Sequence, residues 1–161
     1  MNRCFALSGE ELRVKKIKNG TVIDHIPAGH ALTVLKILGI TGEEGLIIAV
    51  LMNVPSKKIG KKDIVKIENM ELKKGEVSKI SLIAPNATIN IIRNFRVIKK
   101  FIVEIPSRIQ GLLRCINPTC ISRKRNEPIE SSFKVISKQP LKLQCEFCGT
   151  YIEYEDIVSQ F

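Results

Sequence analysis

The C-terminal third of this chain is organised by Cys115-Ile116-Asn117-Pro118-Thr119-Cys120 and by the later segment Cys145-Glu146-Phe147-Cys148. The first has the spacing C-x4-C and the second the spacing C-x2-C, and both contain or precede turn-forming residues (Asn117, Pro118 and Gly149). Four thiolates gathered by two such turns form a tetrahedral zinc site with no position left for a substrate. The spacing therefore predicts one structural Zn²⁺ ion and directs the search for function to the rest of the chain.

Disulfide bonds are the alternative interpretation of these cysteines. No secretory signal opens the sequence, and thiols stay reduced in the cytosol, so a metal site is favoured. No apolar run reaches the length needed to span a bilayer, and we expect a cytoplasmic protein without membrane contact. The fifth cysteine, Cys4, has no partner in the pattern and is predicted to be a free thiol.

The formal net charge of +10 makes nucleic acid a candidate partner. The basic stretches are short, however, and no aromatic residues interleave with them to stack on bases. A solvated surface explains most of these charges, and lysines around a small anion such as a triphosphate suit the same residues. The densest stretches are 57–62, 73–74, 99–100 and 123–125. We expect no nucleic-acid partner, and keep a zinc-ribbon nucleic-acid-binding protein as the alternative function.

The N-terminal part alternates between strand and helix patterns. Residues 12–26 read as a hairpin around Asn19-Gly20, because both residues tolerate positive φ. A helix is predicted from Pro27 to Gly39, with Ala28, Leu32, Leu35 and Leu38 at helical spacing. A second helix is predicted at 76–84, ended by Pro85. Further strands are predicted at 46–52, as a central strand covered on both faces, and at 64–68, 87–93 and 95–103.

Apart from the extra hairpin strand, this order is βαββαβ, the ferredoxin-like arrangement of an antiparallel sheet with two helices on one face. After Pro106 the pattern changes to the cysteine segments and short strands at 131–137, 141–144 and 151–155. The predicted fold class is α+β: a ferredoxin-like domain at 1–103 and a small antiparallel β zinc-binding domain at 104–161. A piece this small commonly needs its metal to stay folded.

No motif of an enzyme is found. The sequence contains no phosphate-loop motif, nucleophile elbow or Cys–His pair, and its only histidines are His25 and His30. His30 is predicted to lie on the helix surface, and His25, at a strand end, to be structural rather than a general base. We expect a non-catalytic protein.

Several blocks, taken in order, resemble the regulatory chain of aspartate carbamoyltransferase. The resemblance covers nearly everything from Leu12 onward and is carried by 18–28 (KNGTVIDHIPA), 60–69 (GKKDIVKIEN), 84–90 (APNATIN), 115–122 (CINPTCIS), 131–133 (SSF) and 145–148 (CEFC). It implies a non-catalytic subunit whose N-terminal allosteric domain binds nucleotide effectors and pairs with a second regulatory chain. CTP, often with UTP, would inhibit and ATP would activate. The zinc domain would dock on the catalytic chains, which carbamoylate aspartate in pyrimidine biosynthesis.

The resemblance also implies a nucleotide site, in which the apolar residues line the walls, the lysines meet phosphates and Asp24 accepts from ribose hydroxyls. It comprises Lys16, Ile17, Val22, Asp24, Lys66, Asn90, Ile92, Phe95, Val97 and Lys100, with His25 and Lys62 nearby.

Strand alternation independently places Asn90 with Ile92, and Phe95 with Val97. Lys100 has the opposite parity to Val97, so we expect the strand to bend or the side chain to reach in from the edge. Two features depart from the family pattern: Phe95 stands where a tyrosine is expected, and the stretch 123–126 is enlarged and basic.

Overall fold

The computed structural model describes residues 14–161, and in that part it contains two antiparallel sheets, three α-helices and one 3-10 turn at Ile121–Arg123. Cys4 and the first two residues of the predicted hairpin lie outside the described residues. The first unit comprises β1 (Gly20–Pro27), α1 (Ala31–Ile37), β2 (Ile48–Ser56), β3 (Gly60–Glu68), α2 (Lys74–Ile83), β4 (Thr88–Arg93) and β5 (Arg96–Ile102). The second comprises β6 (Arg108–Gln110), β7 (Ser132–Lys138), β8 (Leu141–Cys145), β9 (Tyr151–Glu153) and α3 (Tyr154–Val158).

The first sheet has the strand order β2-β3-β1-β4-β5, with every neighbouring pair antiparallel. The first four strands and the two helices form the predicted ferredoxin-like unit, and β5 extends its sheet beside β4. Alternate strand positions such as Ile23, Val65 and Ile89 are fully buried, in one core with helix residues such as Val34 and Ile80. The α+β fold class is confirmed.

Three strand predictions differ from the structure. Residues 14–19 form no strand, so no hairpin precedes β1, and Gly20 begins a strand that lies between β3 and β4. The apolar run of 46–52 is not central, because β2 is an edge strand whose side chains are half-buried or exposed. Phe95 lies in the two-residue turn between β4 and β5 rather than in a strand, since Arg93 pairs directly with Arg96.

The helix predictions need smaller corrections. Pro27 ends β1, and α1 begins at Ala31, so its buried positions are Ala31, Val34 and Ile37, and Leu32 is 61% exposed. Gly39 follows the helix with φ +71°, the left-handed conformation that glycine adopts readily. At the C-terminus the predicted last strand stops at Glu153, and α3 follows it.

The second sheet, of order β6-β7-β8-β9, shares its core with the first unit. The hydroxyl of Tyr154 donates to the carbonyl of Ile83 at the end of α2, over 2.7 Å. His30, predicted to lie on the helix surface, is half-buried immediately before α1, and its ring and that of Tyr154 are arranged edge to face with 6.0 Å between centroids. No helix of the described residues is long and apolar enough to cross a bilayer.

Candidate metal centre and nucleotide-binding face

The four predicted metal ligands come together at one point. The sulfur atoms of Cys115, Cys120, Cys145 and Cys148 all lie within 4.8 Å of one another; the Cys115–Cys148 distance is 3.6 Å and the Cys120–Cys145 distance 3.7 Å. Zn–S bonds of about 2.3 Å in a tetrahedron place neighbouring sulfurs about 3.8 Å apart, whereas a disulfide needs about 2.05 Å. The cluster therefore fits a tetrahedrally bound metal ion, and the four thiols are not paired as disulfides.

The turns that carry these cysteines are built by local hydrogen bonds. The side chain of Asn117 accepts from the backbone N–H of Thr119 at 3.1 Å, and its carbonyl accepts from Cys120 N at 3.2 Å, which folds the C-x4-C segment back on itself. The carbonyl of Cys145 accepts from Gly149 N at 2.9 Å, and Gly149 has the predicted positive φ, +74°. The sequence prediction of two turns is confirmed.

Protonation of the cysteines differs with their surroundings. Burial raises the pKa of Cys115 to about 12 and also raises the pKa of Cys145. The hydrogen bond with Thr150, whose hydroxyl lies 3.2 Å from the sulfur, lowers the pKa of Cys148 to about 6. Because metals bind thiolates, an incoming ion has to displace protons from at least Cys115 and Cys145, the two thiols with raised pKa.

The second candidate site is the face of the first sheet opposite the helices. The strand register aligns Lys66, Val22, Asn90 and Lys100 in one row across β3, β1, β4 and β5. At a strand spacing of about 4.8 Å, the ends of this row are about 14 Å apart. An adjacent row on the same face contains Gly20, Ile92 and Val97.

A β-bulge resolves the parity of Lys100. Ile91 pairs with Lys99 but Ile92 pairs with Val97, so Ile98 is an extra residue in β5. Val97 and Lys100 consequently lie on the same face although three positions separate them. Of the two alternatives expected for Lys100, the irregularity in β5 favours a bend in the strand over a side chain that reaches in from the edge. Phe95 is outside the alternation, since it sits in the turn with φ +63° and is 59% exposed.

The segment before β1 adds an apolar wall to this face. Ile17 is 5% exposed and lines a cavity of about 280 Å³ together with Ala49, Lys66 and other residues. Lys16 beside it is exposed. The ammonium group of Lys66 lies 3.5 Å from the carbonyl of Lys15 and forms no ion pair within residues 14–161. The ammonium group of Lys66 can therefore pair with an anion that binds beside the apolar wall.

Asp24, His25 and Lys62 lie together at one end of the face. The carboxylate of Asp24 is 2.8 Å from Nζ of Lys62, and it accepts from His25 N at 2.6 Å. His25 has φ +60° at a bulge in β1, and its Nδ1 is buried without a hydrogen-bond partner in the described part of the chain, 3.6 Å from Asp24 Oδ2. His25 and Lys62, which the resemblance implies lie near the nucleotide site, are thus both close to the Asp24 carboxylate.

Sequence reasoning missed Asp63. Its carboxylate is fully buried and accepts three backbone N–H groups, from Gly29 at 2.8 Å, Ala31 at 3.0 Å and Asn53 at 2.8 Å. It thereby joins the start of α1 to the bulge in β2, next to Lys62. An acidic residue alternating with Val65 and Ile67 on the core side of β3 was the available signal.

The fold and the site define a two-part class of protein, an antiparallel α+β domain joined to a small domain built around four cysteines. The family model for the aspartate carbamoyltransferase regulatory chain, allosteric domain, matches residues 12–104, and the model for its metal-binding domain matches residues 107–158. The chain belongs to the aspartate carbamoyltransferase regulatory chain family.

Curated relatives agree over nearly the whole chain. The regulatory chain of Korarchaeum cryptofilum is 62% identical over 151 residues, which is 94% of this chain and 96% of the relative. That of Hyperthermus butylicus is 58% identical over 153 residues, 95% of this chain and 96% of the relative. That of Sulfolobus acidocaldarius is 54% identical over 151 residues, 94% of this chain and 92% of the relative. The predicted resemblance and the non-catalytic character are confirmed, and the nucleic-acid alternative is not favoured.

Proposed function

We propose that this regulatory chain binds the nucleoside triphosphates CTP, UTP and ATP on the open face of its first sheet and transmits their effect to the catalytic chains. One observation supports this most directly: the row of Lys66, Val22, Asn90 and Lys100 combines two cations, an amide and an apolar residue on one accessible face. A nucleotide offers the complementary set of phosphates, polar base edge and apolar ring.

The domain boundary near residue 103 stays a prediction.

Each group has a chemical role in this proposal. Lys66 and Lys100 donate charged hydrogen bonds to phosphate oxygens. Asp24 accepts from ribose hydroxyls, while its partner Lys62 and the neighbouring His25 add positive or polar contacts at that end. Ile17, Val22, Ile92 and Val97 surround the base, the backbone around Lys16 and Ile17 reads its edge, and Phe95 supplies an apolar contact without a hydroxyl.

Differential affinity would carry the signal. A nucleotide shifts an equilibrium between two quaternary states only if it binds one of them more tightly. Coupling free energies between sites are typically about 1–3 kcal/mol. The metal-binding domain, which shares its core with the nucleotide-binding unit, would pass this bias to the catalytic chain.

The proposed partners are a catalytic chain, a second regulatory chain and the nucleotides, in the cytoplasm, with Zn²⁺ as the bound metal. Coexpression with a trimeric carbamoyltransferase chain is expected to give a stable complex on size exclusion, because the metal-binding domain presents exposed apolar side chains such as Ile121 and Phe147. Failure to copurify, combined with salt-sensitive binding to nucleic acid, would instead support a zinc-ribbon nucleic-acid-binding protein.

Lys66→Ala tests the nucleotide site. Losing one charged hydrogen bond, worth about 1.5–3 kcal/mol, is expected to weaken CTP and ATP binding together by about tenfold or more, because the triphosphate is common to both. Equilibrium dialysis of labelled nucleotides against the full chain measures this directly.

Lys58→Ala is the matched control, since it removes the same charge from the exposed turn between β2 and β3. It is expected to leave both affinities unchanged. Metal content and assembly should be the same in both variants. Nucleotide affinities that survive in Lys66→Ala would mean that the site is assigned to the wrong face.

A further inference from the structure

The main chain that carries Cys115 into the metal centre is held by side chains rather than by regular structure. Residues 113–115 belong to no helix or strand. The hydroxyl of Ser131 donates to the carbonyl of Leu113. The Gln160 amide brackets Arg114: its Oε1 accepts from the backbone N–H at 2.7 Å, and its Nε2 donates to the carbonyl at 2.9 Å.

Arg123 completes this set from the other side. Its guanidinium Nη1 donates to the carbonyl of Cys115 over 2.8 Å. Its backbone N–H donates to the carbonyl of Cys120 over 3.0 Å. Arg123, three residues after Cys120, therefore donates to the backbone carbonyls of both cysteines of the C-x4-C segment.

We propose that Arg123 is a positioning residue of the metal centre. Its two hydrogen bonds join the ends of the C-x4-C loop and fix the distance between the backbones of Cys115 and Cys120. The buried sulfur of Cys115 is thereby kept at bonding distance from the ion that all four cysteines share. Its positive charge also lies next to a site that carries two net negative charges when four thiolates hold a divalent ion. Within the basic stretch 123–126, which departs from the family pattern, Arg123 is thus the residue that contacts the metal-binding loop.

The neighbouring Arg125 provides a matched control. It carries the same charge, is exposed, and makes no side-chain hydrogen bond or ion pair within residues 14–161. A general electrostatic effect of the stretch would affect both arginines similarly. A positioning effect through the Cys115 carbonyl is specific to Arg123.

The test measures transfer of Zn²⁺ from the full chain to a chromophoric chelator. Arg123→Ala is expected to release zinc about five- to tenfold faster than the unaltered chain, because a hydrogen bond from an exposed guanidinium to a part-buried carbonyl is lost. Arg123→Lys should recover part of this retention, since a long cationic donor remains. Arg125→Ala should release zinc at the unaltered rate.

Substitution by Co²⁺ separates positioning from stability alone. Arg123→Ala is expected to shift the cobalt absorption bands, because the geometry of the sulfur ligands changes, whereas Arg125→Ala leaves them unchanged. Gln160→Ala acts on the adjacent peptide, so its effect on release should be non-additive with Arg123→Ala. Equal release rates for Arg123→Ala and Arg125→Ala, or faster release with an unshifted cobalt spectrum, would overturn the proposal.

Discussion

Removal of the metal ion is expected to unfold residues 107–161 while residues 14–100 keep most of their secondary structure. Three of the four cysteines are buried in the core, and all four sulfur atoms lie within 4.8 Å of one another. Without an ion, no bond connects the two segments that carry them. Structural zinc contributes on the order of 10–16 kcal/mol of apparent free energy in such modules, more than the roughly 3–5 kcal/mol that a small core supplies. Circular dichroism and limited proteolysis before and after chelation measure the outcome.

Cys120→Ser should reproduce the effect of chelation, because it removes one ligand of the tetrahedron. Cys4→Ser, outside the four-cysteine pattern, should change neither metal content nor protease resistance. Adding zinc back to the chelated, unaltered chain should restore resistance. A metal-free chain whose C-terminal part resists protease as before would show that the ion does not hold this domain together.

Asp63→Ala is expected to lower the free energy of unfolding of the first domain by about 3 kcal/mol. The substitution leaves three backbone N–H groups without their acceptor, and Ala31 N is buried, so water cannot readily replace the carboxylate there. Gly29 and Asn53 are exposed, and their N–H groups can return to water, which limits the loss. Denaturant unfolding of the metal-loaded chain gives the free energy.

Glu76→Ala is the control for this measurement. Glu76 also accepts a backbone N–H, that of Lys73 at 2.7 Å, but the bond is exposed at the start of α2. Its loss should cost no more than about 1 kcal/mol. Asp63→Asn keeps one acceptor oxygen and should fall between the two. Equal losses for Asp63→Ala and Glu76→Ala would contradict the role of buried hydrogen bonds at Asp63.

The sequence was most informative where chemistry and spacing coincide. The cysteine spacing located the metal cluster, and the order of strand and helix patterns predicted the ferredoxin-like unit. It failed where position in the sheet decides: the apolar run of β2 resembles a central strand, yet β2 forms an edge. An apolar run alone does not show whether a strand lies in the middle of a sheet or at its edge.

Local backbone geometry set a second limit. Asn19-Gly20 has the composition of a hairpin turn, but β1 finds its partners in β3 and β4, so long-range pairing overrides the local signal. The actual two-residue turn uses Asn94 and Phe95, both with positive φ, and phenylalanine gives no sequence indication of that conformation. Asp63 was overlooked because the three backbone N–H groups that donate to it belong to residues 10 to 34 positions away in the sequence.

Because Ile98 is an extra residue in β5, the number of residues in this strand, as well as their types, decides which side chains share a face. Deleting Ile98 would restore regular alternation and keep Val97 and Lys100 on the same face, now two positions apart, and substitutions of Ile98, 52% exposed, would leave the bulge and its spacing intact. A one-residue deletion elsewhere in β5 should be tolerated less, because it would turn the side chains beyond it to the opposite face. Chimeras between related chains should exchange β5 whole or not at all.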